Sequence, residues 1–301
     1  MIKAWGLAHR SYGRLWVTPG ANNFADRPDG PLRCLFAHVT PTARTFFTGN
    51  LCQTLQFTGV GHLHLFKAGA LTVTQDGQAD LELVEPTLLF LPRGRTHSFA
   101  VDPERGADLV CATVELGGAE GNPIGQGLPE CVVLPLAAHP ALGPVCDLLV
   151  GEAFSEGGGR QAALDRLFDY LLILIVRHVV ESGAISTGVL AGLADPRLAK
   201  ALTAMHEAPK KPWKLEDLAD VAGMSRTRFA DHFRTLVGLT PIEYLTVWRM
   251  TIARQLLGKG KPVKSVAAQV GYDSAAAFSR VFSRLTGQPP REFDALRDGY
   301  R

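Results

Sequence analysis

Between residues 13 and 116 the apolar positions fall into short alternating or β-branched runs: Leu32 to Phe36, Gly61 to Phe66, Ala70 to Thr74, Ala79 to Val84, Thr87 to Leu91 and Leu109 to Glu115. Gly, Asp and Pro stand between them. A period of two at such close spacing predicts short antiparallel strands in a sandwich or barrel. Beyond the Gly- and Pro-rich stretch 117–129 the period lengthens to three and four, which predicts helices over 140–155 and 160–182, divided by Gly157, Gly158 and Gly159. In the second of these, Leu164, Leu167, Leu171, Leu174 and Ile175 make one stripe. Leu172, Ile173 and Val176 widen it beyond what one sheet would cover. A homodimer contact and a helix sandwiched within one chain both satisfy that pattern. Residues 184–194, rich in Gly, Ala, Ser and Thr, read as a linker.

The last third of the chain repeats itself. Leu218, Ala219, Ala222, Gly223 and Ser225 recur as Val266, Ala267, Val270, Gly271 and Asp273, an offset of 48 residues. One extra residue in the second turn makes the offset 49, so that Phe229, Phe233, Gly238 and Pro241 correspond to Phe278, Phe282, Gly287 and Pro290. Each copy reads as helix, turn, helix: apolar residues on one face, a glycine to close the first helix, and Ser225 or Asp273/Ser274 to cap the second. The outward face of the first copy's second helix carries Arg226, Thr227, Arg228, Ala230, Asp231 and Arg234. Its counterpart carries Ala275, Ala276, Ser279, Arg280, Ser283 and Arg284. A helical stretch 241–257, burying Tyr244, Leu245, Trp248 and Ile252, joins the copies.

Charge adds a direction to this picture. The chain of 301 residues carries a net +2, but residues 190–301 hold 18 basic against 11 acidic side chains while the remainder is net negative. A basic double helix-turn-helix suits the major groove of double-stranded DNA, with helix N-termini on phosphate and side chains at base edges. A bundle without a DNA role leaves the repetition of a capped, basic-faced unit unexplained. The apolar run Tyr170–Val176 is too short for a bilayer, which requires roughly 20 residues. No secretory signal opens the sequence, so a cytoplasmic location with no membrane partner is expected. The five cysteines form no CxxC pair, against both a zinc finger and a disulfide framework.

The turn Ala222-Gly223-Met224-Ser225, the block Phe229 to Phe233, the run Val266 to Phe282 and Gly287 to Pro290 resemble the signature of the AraC/XylS family of bacterial regulators over about residues 195–299. The resemblance implies two recognition helices in successive major-groove segments. Thr227, Ala230, Asp231, Ala275, Ala276 and Arg280 would face bases, Ser279 would lie beside them, and Arg226, Arg228, Arg234 and Arg284 would hold phosphate. It also implies RNA polymerase as the further partner of an activator.

In the first domain, Pro92-Arg93-Gly94 with His97 resembles the second signature of cupin barrels, and His62 and His64 resemble the paired histidines of the first. Alternate strand residues share a side, so His62, His64 and His97 could converge on a divalent metal such as Zn. The acidic residue that catalytic cupins keep after the pair is replaced here by Lys67-Ala68-Gly69. The resemblance extends to a cupin variant attached to AraC-type regulators, including members that sense reactive chlorine or other oxidants through cysteines. It points to Cys111 with His64 and His97 as a redox or effector site. A small-molecule pocket, a metal or redox site, and plain core packing of these side chains all stay open.

The expected protein is therefore α+β: an antiparallel cupin-like barrel over 1–125, a helical coupling and dimerisation segment over 126–183, the linker, and an all-α DNA-binding domain over 195–301. It is read as a regulator and not an enzyme, controlled by a small molecule, metal or oxidant acting on the cupin-like domain. A metal-dependent cupin enzyme fused to a DNA-binding tail is the alternative.

Overall fold

The computed structural model describes residues 14–16, 32–39, 41–116, 127–183 and 185–295. These form two units, the first of residues 14–16, 41–116 and 128–183, the second of residues 32–39, 127 and 185–295.

Strand β1 (Arg14–Trp16) and helix α1 (Leu32–His38), which belongs to the second unit, precede the main sheets. There follow β2 (Thr42–Leu51), β3 (Leu55–Phe57), β4 (Gly61–Gly69), β5 (Leu71–Gln75), β6 (Leu81–Leu83), β7 (Thr87–Leu91), β8 (His97–Val101), β9 (Ala107–Glu115) and β10 (Cys131–Pro135). They form a six-stranded sheet in the order β1-β10-β7-β4-β9-β2 and a four-stranded sheet in the order β3-β8-β5-β6. Among the described residues no strand pairing joins the sheets, so the cupin-like domain is two packed sheets and not a closed barrel. Their inner faces meet in one apolar layer built from Phe66, Leu89, Leu109 and Val133 on one side and Leu71, Val73 and Phe99 on the other.

Strand β4 is buried at six consecutive positions, because His62, His64 and Phe66 look inward while Leu63 and Leu65 lie on the opposite face, which is also covered. Helices α2 (Gly143–Ala153) and α3 (Arg160–Glu181) complete the unit. In α3, Leu164, Phe168, Leu171, Leu172, Ile175 and Val176 are buried, each stabilising by at most about 1.5 to 3 kcal/mol. The same helix seals the exposed edge of the six-stranded sheet. Asp165 and Asp169, one turn apart, accept from the backbone N–H of Thr45 at 2.8 Å and of Ala43 at 2.7 Å.

The second unit contains α1, α4 (Val189–Ala194), α5 (Leu198–Glu207), α6 (Leu215–Ala222), α7 (Arg226–Val237), α8 (Pro241–Gly258), α9 (Val263–Gln269), α10 (Ala275–Thr286) and α11 (Pro290–Ala295).

Two expectations are corrected, and two strands went unread. Leu32 to Phe36 is helical, since one helical turn puts Leu35 and Val39 on the same buried side. The segment read as a linker over 184–194 contains α4, whose Val189, Leu190 and Leu193 are buried. It is held so closely that a Cβ on Gly192 would lie 2.8 Å from both Leu202 and Val237 side chains. Strands β2 and β3 escaped the alternation pattern because β2 is rich in polar residues and carries a register shift between Thr45 and Phe47, which resets its period.

Candidate nucleic-acid interface and histidine cluster

The two repeats fold alike in detail. Gly223 and Gly271 adopt positive φ of 65° and 83°, and the next residue's N–H reaches back to close the helix: Met224 to Ala219 at 3.0 Å, Tyr272 to Ala267 at 2.9 Å. Phe229 and Phe233 pack at 5.6 Å between ring centres, and Phe278 and Phe282 at 5.5 Å. All four are fully buried. Ser274 caps α10 by accepting from the Ala277 N–H at 3.1 Å, whereas Ser225 stands at the N-cap of α7 without a side-chain cap bond. Helix α8 starts with a reciprocal cap between Thr240 and Glu243 behind Pro241.

Arg226, Thr227, Arg228, Asp231 and Arg234 are exposed along α7, with Ala230 half-buried. Ala276, Arg280 and Arg284 are exposed along α10, with Ala275 and Ser279 half-buried. Each set thus occupies one continuous outward face. Arg226 is engaged by Glu216 of α6 at 2.9 Å. His232 contacts Asp195 at 2.9 Å, and the Asp195 carboxyl is held below its usual range by N–H donors of Leu198 and Arg197 and by His232, against the opposing effect of burial. A cleft beside α7 is lined by Thr227, Arg228 and Asp231 together with Arg197. Arg197 is a basic residue at this face that the repeat pattern did not single out, because it lies outside both copies. Half-buried Arg249 of α8 donates to the carbonyls of Pro209 at 2.7 Å and Lys211 at 3.0 Å, and its guanidinium lies 5.8 Å from the Tyr272 ring centre. It ties the segment ahead of the first repeat to the turn of the second.

In the first unit, β4 delivers His62 and His64 to the inner face, and β8 delivers His97 from the opposing sheet. The three rings are buried and offer one nitrogen each within 4.8 Å of one another. Phe57 stacks on His97 at 4.9 Å and Phe99 stands edge-on to His64 at 4.6 Å, so the cluster has aromatic walls. Burial holds all three imidazoles neutral: His62 is lowered, His64 is lowered further with the help of His97 and His62, and His97 falls to about 4 despite the opposing Arg95 carbonyl. His97 Nδ1 donates to the Arg95 carbonyl at 3.1 Å, which leaves its Nε2 with a lone pair. His64 Nε2 donates to that lone pair at 3.0 Å. The Nδ1 atoms of His62 and His64 have no partner. Three neutral imidazoles, two of them with an unpaired Nδ1 and the third with its Nε2 lone pair shared only with His64, together with one orienting carbonyl, are a donor set that fits a divalent transition metal.

Cys111 lies directly opposite His64 across β4 and β9 but is buried in the apolar layer, and burial pushes its thiol far above the usual range. A protonated, covered thiol is the reverse of what oxidant sensing requires. Cys52 is the exposed thiol, donating to Asn50 Oδ1 at 2.9 Å. Lys67, in place of an acidic ligand, is exposed and lies 4.9 Å over the Phe154 ring. The wall residues Phe57 and Phe99 were not anticipated; only the strand pairing of the second sheet reveals them.

Residues 30–181 match a family described as Cupin, and residues 218–295 match one described as a helix-turn-helix domain. An uncharacterized HTH-type transcriptional regulator of Haemophilus influenzae is 30% identical over 258 residues, covering 78% of this chain and 86% of that protein. The RCS-specific HTH-type transcriptional activator RclR of Escherichia coli is 30% identical over 250 residues, covering 78% and 86% respectively. A putative AraC-like transcription regulator of Streptomyces lividans is 40% identical over 141 residues, 44% of this chain and 46% of that protein. No described helix is long and apolar enough to cross a membrane. With a cupin domain ahead of a doubled helix-turn-helix, the chain belongs to the AraC-type family of DNA-binding transcriptional regulators.

Proposed function

We propose that the protein is a transcriptional regulator whose DNA binding is set by a divalent metal, and by a small ligand completing it, at His62, His64 and His97. The observation that carries this reading is the buried cluster itself, with its unpaired ring nitrogens and the His97 ring fixed by the Arg95 carbonyl. When bound, a metal ion would act as a Lewis acid holding an exogenous donor at the position that three protein ligands leave open. The aromatic walls exclude water, and the Arg95 carbonyl keeps the lone pair of His97 Nε2 turned inward. The oxidant reading, suggested by the RCS-specific relative, has less support because Cys111 is covered.

At the DNA, Arg280 reads a base edge through a small-residue face, with Ala275, Ala276 and Ser279 letting α10 approach. Thr227, Ala230 and Asp231 read on α7, while Arg226, Arg228, Arg234 and Arg284 hold phosphate. A second copy of the chain covers the stripe of Leu167, Tyr170 and Leu174 on α3, where Tyr170 is 51% exposed, and RNA polymerase is the partner at the promoter.

Full-length protein is tested in two ways. Metal analysis after dialysis should find one bound ion per chain, lost in the His64→Ala, His97→Ala double variant; equal metal content in both would remove the metal reading. In an anisotropy titration Arg280→Ala should lose about 1 to 3 kcal/mol on a selected promoter duplex and little on random duplex. Equal losses on both would reject base reading by Arg280.

A further inference from the structure

We infer that Lys210, Lys211 and Lys214, on the loop between α5 and α6, hold phosphates of double-stranded DNA between the two major-groove segments that the recognition helices enter. The inference rests on the chain binding DNA through α7 and α10, and it adds a contact that neither helix makes.

The loop is fixed at almost every residue. The Ala208 carbonyl, at the end of α5, accepts from the Lys211 N–H at 3.1 Å and from Trp213 Nε1 at 2.9 Å. The Lys211 carbonyl accepts from the Trp213 N–H at 2.8 Å and from Arg249 Nη2 at 3.0 Å, while Arg249 Nε donates to the Pro209 carbonyl at 2.7 Å. Pro209 and Pro212 lock two further backbone angles. The Lys211 ammonium stands 3.7 Å from the Trp213 ring centre, which seats a long side chain without neutralising it. All three lysines are exposed, and among the described residues none of their ammonium groups makes an ion pair. The carboxylates nearest in sequence are engaged elsewhere: Glu207 with Arg33, Glu216 with Arg226, and Asp217 on the Lys214 backbone N–H at 3.0 Å. Three cations on a fixed backbone, without counter-ions, bind a polyanion at little ordering cost.

The position of the loop selects which part of the polyanion it meets. Glu216, two residues beyond Lys214, reaches Arg226 at the first position of α7 at 2.9 Å, so the lysines stand beside the entry to the first recognition helix. On the other side the Lys210 backbone lies against Gly271, where a Cβ would fall 2.8 Å from the Lys210 carbonyl oxygen. Gly271 opens the turn that leads into α10. One short loop therefore adjoins the approach to both recognition helices. Between successive major-groove segments on one face of a duplex lies the minor groove, bordered by the phosphates of both strands. The loop meets those phosphates and not base edges. The equivalent loop of the second copy, Lys259 to Pro262, has Lys261 where the first has Trp213, and no third repeat follows for it to bridge.

Full-length protein is titrated with a promoter duplex selected by the wild type and with random duplex, by anisotropy over a range of salt. Lys210→Gln, Lys211→Gln and Lys214→Gln should each flatten the dependence of log Kd on log salt by about one unit and weaken both duplexes alike, by about fivefold near physiological salt. Their melting temperatures should match the wild type, because the side chains are exposed. Ethylation interference on the promoter duplex then assigns the place. The triple variant should lose interference at phosphates in the middle of the footprint and keep it at both ends. A wild-type salt dependence in all the variants, or central interference that survives in the triple variant, overturns the lysine contact while leaving DNA binding through α7 and α10 standing. A wild-type protein that selects no duplex removes the DNA reading and the inference with it.

Discussion

The two recognition helices share a scaffold and differ in almost every outward residue. With the 49-residue offset, Arg226, Thr227, Arg228, Ala230 and Asp231 of α7 stand where α10 has Ala275, Ala276, Ala277, Ser279 and Arg280. The inward pairs Phe229/Phe278 and Phe233/Phe282 do not change, nor do the left-handed glycines that end each helix, at φ of 85° and 76°. What the fold requires is duplicated; what faces outward has been exchanged. On α7 the positive charge flanks an acidic centre, and two of its polar side chains are held by neighbours, Arg226 by Glu216 and His232 by Asp195. On α10 small residues at the N-terminal turn leave room for close approach, and one arginine occupies the position of the acid. On the proposed reading the second helix carries the long basic base contact, while the first brings only short or acidic side chains to the bases and leans more on phosphate.

If the shared scaffold is truly equivalent, its removal should cost the same in either copy. Phe229→Ala and Phe278→Ala each delete a fully buried ring and should each destabilise by about 3 to 5 kcal/mol. Denaturant unfolding followed by circular dichroism measures both. A much smaller cost for one of them would show that its copy is packed less completely and would break the equivalence.

Acid should separate the copies next. His206 of α5 is buried under the first repeat, with Nε2 against the Tyr244 hydroxyl and its ring 4.1 Å from that of Trp248. Burial lowers its pKa from 6.5 to about 3, with His38 of α1 adding repulsion. Folded His206 stays neutral below pH 6.5 while the unfolded chain takes up the proton. Stability is therefore full above about 6.5 and falls as the pH drops toward 3, by up to about 1.4 kcal/mol per unit. By the 48-residue offset the second repeat has Arg254 at this place, which cannot titrate in that window. The drop in melting temperature between pH 7 and pH 5 should shrink in His206→Gln. A drop of the same size in that variant would assign the acid sensitivity to other groups.

How much of this could be read from the sequence depended on how local each cause was. The helix-turn-helix pairs were legible down to Gly223 and Gly271 because closing a helix takes one glycine at a fixed offset. The pairing of His62 and His64 was legible from a period of two. The wall residues Phe57 and Phe99 were not, because they come from the sheet opposite, and no short spacing encodes which sheet faces which. Nor was α4, whose Gly and Ala content resembles a linker until Leu202 and Val237 are seen closing over Gly192. Helix α1 lies far in sequence from the α5 and α8 helices it packs on, through Arg33 with Glu207 and His38 with Gln255. The burial of Cys111 follows from inner-face packing, which the chain order alone does not reveal.

The smallest expected effect bears most directly on the difference between the helices. Arg226 and Glu216 are both more than half exposed, at 66% and 53%, and such a pair contributes only about 0.2 to 1 kcal/mol to folding. Glu216→Gln should therefore leave the melting temperature nearly unchanged. It should free Arg226 for phosphate, because the carboxylate that holds it is gone. A freed phosphate contact raises affinity for promoter and random duplex alike, and it steepens the dependence of log Kd on log salt by about one unit. Arg226→Gln should do the reverse, weakening both duplexes equally, if Arg226 leaves Glu216 when DNA binds. Salt titrations of the two variants on both duplexes decide the point. A change confined to the promoter duplex would make Arg226 a reader of sequence, and α7 would then carry a basic base contact of the kind that the contrast between them keeps for α10.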